Sequence, residues 1–369
     1  MERVVDKKVL INKFMEFIGV DTDPILGLDI GSTAVKIIGL TKVGDKIKLE
    51  FYAFEPLEPG AVVEKNIKDR EKVVNAIKAV VKKAKIASTK VCVAIPSATS
   101  ITKIIQLSSD LSDKEIGSEI DFEAERYIPY PLEDVNLDYS VVGPVKDNAE
   151  LVNVLLAVSK SENIENIVDL VSDAGLVALI VDIDSFAIER AFELVANKLP
   201  EHGKNKVVAV FDIGATITTM NVFDHNSIVY TREQGFGGQH LIDEIQNIYG
   251  LTYPEAIAAI KNENLPADYY QEVLEPFMQT VAQQINRFCQ FFFSSGNYTT
   301  IDYIFLTGGG SSIKDLDILI QSKLQIKTFI ADPFSDFTIP SGINQEEFKR
   351  DIPRLMCCCG LALRNLATK

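Results

Sequence analysis

Two short phrases in this chain place an aspartate, a glycine and a threonine at the same spacing behind an apolar run: DIGST at 29–33 and DIGAT at 212–216, 183 positions apart (212 minus 29). A strand ending in Asp-x-Gly, followed by small hydroxyl residues and a second strand, folds as a tight β-hairpin whose tip exposes backbone N–H groups. Such a tip suits phosphate. Gly31 lets the backbone approach an anion closely, and Ser32 and Thr33 add hydroxyl and amide donors. Asp29 repels phosphate and is better placed as an outer partner of Mg²⁺, reached through the metal's waters; Lys36 on the next strand neutralises phosphate. One Gly-Ser turn by itself means only a turn. Two change the reading: Asp212, Gly214, Ala215 and Thr216 repeat the first set, so two similar half-molecules would clamp a polyphosphate and its metal.

A third motif, FLTGGGSSIKDL at 305–316, sets Gly308, Gly309 and Gly310 between an apolar run and a helical pattern. Bare backbone there leaves room for a flat ring, with the following helix N-terminus directed at ligand oxygens. His202, His225 and His240 are dispersed, and no Ser-His-Asp set or metal spacing is present. The triple cysteine at 357–359 fans over about 200° of a helix and cannot ligate one metal. CCCGLAL reads instead as close helix packing with cysteines in place of alanines.

These motifs lie on an alternating α/β text. Strands run through ILGLDI, AVKIIGL and KIKLEFYAFE, with a helix over 70–85 and a strand at KVCVAIP. A strand–helix–strand–strand–helix unit follows between 97 and 176. VALIVDIDSFAIERAFELVANK reads as a strand entering a helix. From 206 the opening grammar returns in VVAVFDIG, TTMNVF and SIVYTREQG, then helices, the strand before the triple glycine and a terminal helix.

Composition sets the limits. The chain has 369 residues, 47% of them hydrophobic, enough for two or three domains. With 37 basic against 52 acidic residues the net charge is −15, which disfavours nucleic acid and anionic lipid, so an anion must be held locally. Five unpaired-looking cysteines fit a reducing cytoplasm, and no apolar run approaches the roughly 20 residues of a spanning helix. Residues 1–18 carry Val5, Val9, Phe14, Phe17 and Ile18 on one helical face; a segment docked on its own protein is expected there in preference to a membrane contact.

Taken in order, LDIGSTAVKI, FDIGATITTM and LTGGGSSI resemble the phosphate-1, phosphate-2 and adenosine motifs of the actin, Hsp70 and sugar kinase ATPase superfamily, over about residues 26–369. The insertion after VCVAIPS is similar in position to that of the cell-division protein FtsA and the type IV pilus assembly protein PilM. ERYIPYPLEDVNLDYSVVG, IVDIDSFAIERA, GGQHLIDEIQNIYGLTYPEAIAAIK and GLALR resemble the PilM family. FtsA usually runs longer and ends in a lipid-binding tail, which RNLATK does not resemble.

The resemblance implies an α/β, actin-like ATPase fold of two duplicated halves with ribonuclease H-like cores. It divides the chain into an extension 1–23, a first core subdomain 24–97 completed by 177–205 and 344–369, and a partner-binding inserted subdomain 98–176. A second core subdomain 206–236, completed by 302–343, and a helical subdomain 237–301 follow. It implies ATP and Mg²⁺ held by Asp29, Gly31, Ser32, Thr33, Lys36, Asp212, Gly214, Ala215, Thr216, Gly237, Gly238, Gly308, Gly309 and Gly310. Glu244 and Lys261 would stand at ribose and adenine, and Asp29 and Asp212 at the metal through water. Asp184 and Asp212 are the carboxylates expected in catalysis. Where the family usually has Val-Asp-x-Glu this chain has Asp184, one methylene shorter, so binding of nucleotide is a stronger expectation than hydrolysis.

The implied role is cytoplasmic, in type IV pilus assembly, with the N-terminal cytoplasmic peptide of PilN docked in a groove beside the inserted subdomain. Location at the inner membrane would come through that partner. Other inner-membrane and motor components of the pilus machine are further expected partners, and self-association stays open. An FtsA-like filament protein and a metabolic kinase are the alternatives; no sugar-kinase signature surrounds the interdomain helices.

Overall fold

Apolar runs cut by tight turns build two antiparallel meanders. A computed structural model describes residues 24–124, 126–146, 148–364 and 366. The extension 1–23, with the amphipathic segment expected over residues 1–18, lies outside the described residues. In the first meander β1 (Leu26–Ile30), β2 (Ala34–Val43) and β3 (Lys46–Pro56) pair in sequence, with Asp29 directly across from Lys36. A two-residue turn joins β4 (Val62–Val63) to β5 (Asn66–Ile67). Helix α1 (Arg70–Ala84) follows, started by the Asp69 side chain accepting from the Lys72 N–H at 3.2 Å. Its Val73, Ile77 and Val80 fall on one stripe and are fully buried.

Ser88–Asp184 make a compact unit. Here β6 (Lys90–Ile95) leads to β7 (Ser100–Ser108), α2 (Asp113–Ala124), β8 (Val135–Val145), β9 (Asn148–Lys160), α3 (Ser161–Asp173) and β10 (Val177–Ile183). Strands β7, β9 and β8 pair antiparallel in that order. Ile105, Leu107, Val154 and Leu156 of this sheet pack on Ile116 and Ile120 of α2, the period of two on the strands meeting the i, i+4 pair on the helix. Strands β6 and β10 run parallel, with α3 against them.

The second unit joins 26–87 to the chain from Ser185 onward. After α4 (Asp184–Ala196), the meander recurs as β11 (Val207–Ile213), β12 (Thr218–Asp224) and β13 (Ser227–Gln234). Three helices follow: α5 (Gln239–Tyr249), α6 (Tyr253–Lys261) and α7 (Glu275–Ser294). Strand β14 (Tyr303–Thr307), α8 (Leu316–Leu324) and β15 (Lys327–Ile330) then complete a sheet ordered β13-β12-β11-β14-β15, in which β14 and β15 are parallel to β11. Phe277, Val281, Ile285, Phe288 and Phe292 of α7 lie in the core beside Phe211 and Met220, so the phenylalanine-rich run ends a core helix.

Helices α9 (Gln345–Asp351) and α10 (Met356–Leu363) close the described chain. The triple cysteine belongs to α10. A side chain on Gly27 of β1 would run into the Cys358 carbonyl and the Ala362 backbone, and one on Gly360 would overlap the Ala187 carbonyl of α4. Small residues therefore let one helix touch a strand and another helix at backbone distance. Cys358 donates its thiol to the Gly27 carbonyl at 3.3 Å, and burial pushes the Cys358 and Cys359 thiols well above their ordinary range. They are packing groups, not thiolates.

Gly360→Ala is expected to cost about 1–3 kcal/mol in chemical denaturation, because the added methyl has to displace the Ala187 backbone. Gly342→Ala, at an exposed glycine with no atom close to the added methyl, should stay within roughly 0.5 kcal/mol of the parent.

Candidate functional site

Both Asp-x-Gly turns close in the same way. The Gly31 N–H donates to the Ala34 carbonyl at 3.0 Å, and the Gly214 N–H donates to the Ile217 carbonyl at 3.0 Å. A Cβ on Gly214 would sit 2.6 Å from the Ile217 oxygen, so glycine is required by the turn itself. Among the described residues, none accepts from the N–H groups of Ser32, Thr33, Ala215 or Thr216. Four adjacent donors at two tips are what an anion needs. The tips meet: Ser32 Oγ and Thr216 Oγ1 lie 3.4 Å apart across 184 positions of sequence.

Charge is concentrated behind the tips. Lys36 Nζ donates to Asp29 Oδ2 at 2.6 Å, a cross-strand pair in register, with side chains only 17% and 15% exposed. Burial works against the Lys36 charge, but the charge and hydrogen bond of Asp29, and the charge of Asp212, hold it above the ordinary lysine range. Lys36, expected to neutralise phosphate, thus also compensates two carboxylates. Among the described residues no cluster of three His, Cys, Asp or Glu side chains is present to cage a metal. Asp29 and Asp212 with Lys36 suit a hydrated cation held through its waters.

The glycine motifs converge on the second turn. A side chain on Gly237 would collide with the carbonyls of Gly214 and Ala215. The N–H groups of Gly238 and Gln239 donate to those carbonyls at 2.9 and 2.8 Å. Gly308 takes φ +85° against Asp212 and Ile213, and Gly310 packs on the Ile213 side chain. Only Gly309 of the triple is exposed with open space above it. Two of the three glycines therefore weld this loop to the second Asp-x-Gly turn, and one leaves bare backbone exposed. The Thr307 hydroxyl and the Gly308 N–H both donate to the Pro353 carbonyl, at 2.6 and 2.7 Å.

One expectation needs correction. The helix anticipated directly after the triple glycine does not begin there; a 3₁₀ turn, Gly309–Ser312, intervenes and α8 starts at Leu316. Ser311 gives its hydroxyl to the Gly308 carbonyl at 2.7 Å, a local bond that competes with helix formation.

Other expected residues are less concentrated. Glu244 is exposed on α5 and lines a pocket with Phe236, His240, Glu272, Pro276 and Thr280. Lys261 is exposed at the end of α6, and its side chain makes no ion pair or hydrogen bond among the described residues. Asp184, in the other unit, opens α4; its Oδ1 accepts the Ser97 N–H at 2.9 Å and the Ser97 hydroxyl. Ser97, just after Pro96, is a partner that sequence reasoning missed. So is Lys65, at the tip of the β4–β5 turn, whose Nζ lies 2.5 Å from Glu233 Oε1. No glycine or asparagine occupies that two-residue tip, Glu64-Lys65, to announce it.

Two meanders opening on matched Asp-x-Gly turns, with a glycine triple welded to the second, define an actin-like ATPase fold. The same architecture is found in EutJ, an ethanolamine utilization protein from Carboxydothermus hydrogenoformans, with TM-score 0.55 and 15% identity over 93% of this chain and 90% of that one. A chain of a solved PilM-PilN type IV pilus biogenesis complex is more similar, with TM-score 0.74 and 24% identity over 94% of this chain and 99% of that one. The family model described as type IV pilus assembly protein PilM matches residues 27–366, and the chain belongs to that family.

Lys36→Met removes one partner of a nearly buried pair and should destabilise the protein by roughly 3 kcal/mol in denaturant unfolding. Adding Asp29→Asn should restore most of that loss.

Proposed function

We propose that this PilM-family protein binds Mg-ATP between its two Asp-x-Gly turns and uses it to set the relative position of its halves during type IV pilus assembly. The observation that carries the reading is the meeting of the turns, Ser32 Oγ against Thr216 Oγ1 at 3.4 Å, with unclaimed backbone N–H groups on both sides. A phosphate bound there would exchange one hydroxyl contact for charge-assisted bonds from two separate segments. Closure of the halves would then depend on nucleotide. Asp29 and Asp212 would orient the metal's waters, and Gly309 would leave space for the base. Nothing in this reading requires turnover; Asp184, one methylene short and already bonded to Ser97, favours holding nucleotide over consuming it.

The likeness to a chain solved in a PilM-PilN complex supports PilN as the partner, and its cytoplasmic N-terminus is the segment that would dock. Among the described residues no helix is long and apolar enough to cross a membrane, so recruitment to the inner membrane would rest on that contact. An extended peptide laid on a fold edge fits this mode of recognition.

Asp212→Ala should abolish Mg-ATP binding in calorimetry while the circular dichroism spectrum is retained; undiminished affinity would remove the assignment. A synthetic PilN N-terminal peptide should bind the full chain with Kd of about 1 μM or tighter, about −8 kcal/mol. A panel of such peptides failing to bind would count against the pilus partner.

A further inference from the structure

We infer that Lys65 is the residue by which this site distinguishes a nucleoside triphosphate from a diphosphate, its ammonium group passing from Glu233 to the terminal phosphate. The inference rests on the nucleotide reading above. It starts from a difference between the two hairpins. Seven residues beyond Asp29 stands Lys36, directly across the strand pair; seven residues beyond Asp212, in the matching register, stands Thr219. The second hairpin has no lysine of its own at the place where the first has one.

A lysine from the other half reaches that place. Lys65 Nζ lies 3.4 Å from Thr219 Oγ1 and 2.5 Å from Glu233 Oε1, and the Thr219 hydroxyl donates to the same Glu233 oxygen at 3.4 Å. The Lys65 and Glu233 side chains are 26% and 19% exposed, too enclosed for a loose surface pair. Backbone geometry aims the side chain. Glu64 and Lys65 adopt φ +50° and +62°, the left-handed region that residues with a side chain seldom enter, to form the β4–β5 tip. Three charges, Asp29, Lys36 and Asp212, are arranged behind the tips. Lys65 and Glu233 form a separate pair, and Glu233 lies outside both Asp-x-Gly motifs.

The chemistry of exchange follows from the side chain. An ammonium on a four-carbon stem carries three donors and moves by bond rotation without displacing backbone. A terminal phosphate brings more negative charge and more acceptor oxygens than one carboxylate, so it draws the ammonium away from Glu233. A diphosphate, lacking that group, leaves Lys65 on Glu233. The direct link between 62–67 and β13 is thereby replaced by one that runs through the nucleotide.

The test measures Mg-ATP and Mg-ADP affinities by calorimetry for the parent, Lys65→Met and Glu233→Gln. Lys65→Met should weaken ATP roughly tenfold or more while ADP changes by less than about twofold. Glu233→Gln, which removes the carboxylate charge that holds the ammonium, should increase the preference for ATP. Without nucleotide, the unfolding free energies of the two single variants and the double variant should be non-additive, since both break one pair. If Lys65→Met is poorly folded by circular dichroism, Lys65→Gln takes its place. An ATP-to-ADP affinity ratio equal to the parent's in the Lys65 variants overturns the inference and leaves nucleotide binding standing. Failure of the parent to bind either nucleotide overturns both.

Discussion

The turn at 213–216 is the constraint on which the rest of the site depends. Its carbonyls at Gly214 and Ala215 take the first N–H groups of α5, its flank at Asp212 and Ile213 takes Gly308 and Gly310, and its hydroxyl at Thr216 meets Ser32. The start of α5 and the triple-glycine loop are held at backbone distance from this turn, and Ser32 meets it through a side chain. The two backbone approaches and the turn itself are closed to a larger side chain, which is why Gly214, Gly237, Gly308 and Gly310 all converge here. The carbonyls are turned inward to α5, and the N–H groups of Ala215 and Thr216 remain for a ligand. A turn that spends its carbonyls on packing and leaves its N–H donors unclaimed has the chemistry that suits an anion.

Electrostatics then divide between permanent and exchangeable pairing. In a chain of net charge −15, an anion site survives only where cations are fixed locally. Lys36 is fixed: its charge balances Asp29 at 2.6 Å with Asp212 nearby, so it offsets the negative charge of both carboxylates. Lys65 carries the second cation from a separate hairpin, on a partner outside the turns. The two halves repeat each other in backbone and differ in charge, and that difference gives the site a direction.

Much of this was legible in advance, for identifiable reasons. The duplicated Asp-x-Gly phrase marks two tight turns, crowded at Gly31 and closed to any side chain at Gly214, so the residue type reports the backbone. CCCGLAL likewise announced close packing, because small side chains on a helix are selected by what approaches them. Legibility failed where a residue's identity does not encode its conformation. Glu64-Lys65 forms a tip usually given to Asn-Gly, so its φ values could not be read from its letters. Ser97 and Asp184, 87 positions apart, look unrelated until a strand pair brings them together. The 3₁₀ turn at Gly309–Ser312 was hidden because serines serve equally in caps, turns and helices.

By itself the sequence determined the local geometry: where strands end, which turns need glycine, which faces are apolar, and that one half repeats the other. These follow from φ/ψ sterics and hydrophobic periodicity, both short-range properties. Tertiary structure alone decided which charges pair. Lys36 could have faced solvent or phosphate, and Lys65 carried no signal at all; their partners depend on register and on chain segments up to 168 positions away. A Coulomb interaction is set by distance and burial, and neither exists until the fold has closed.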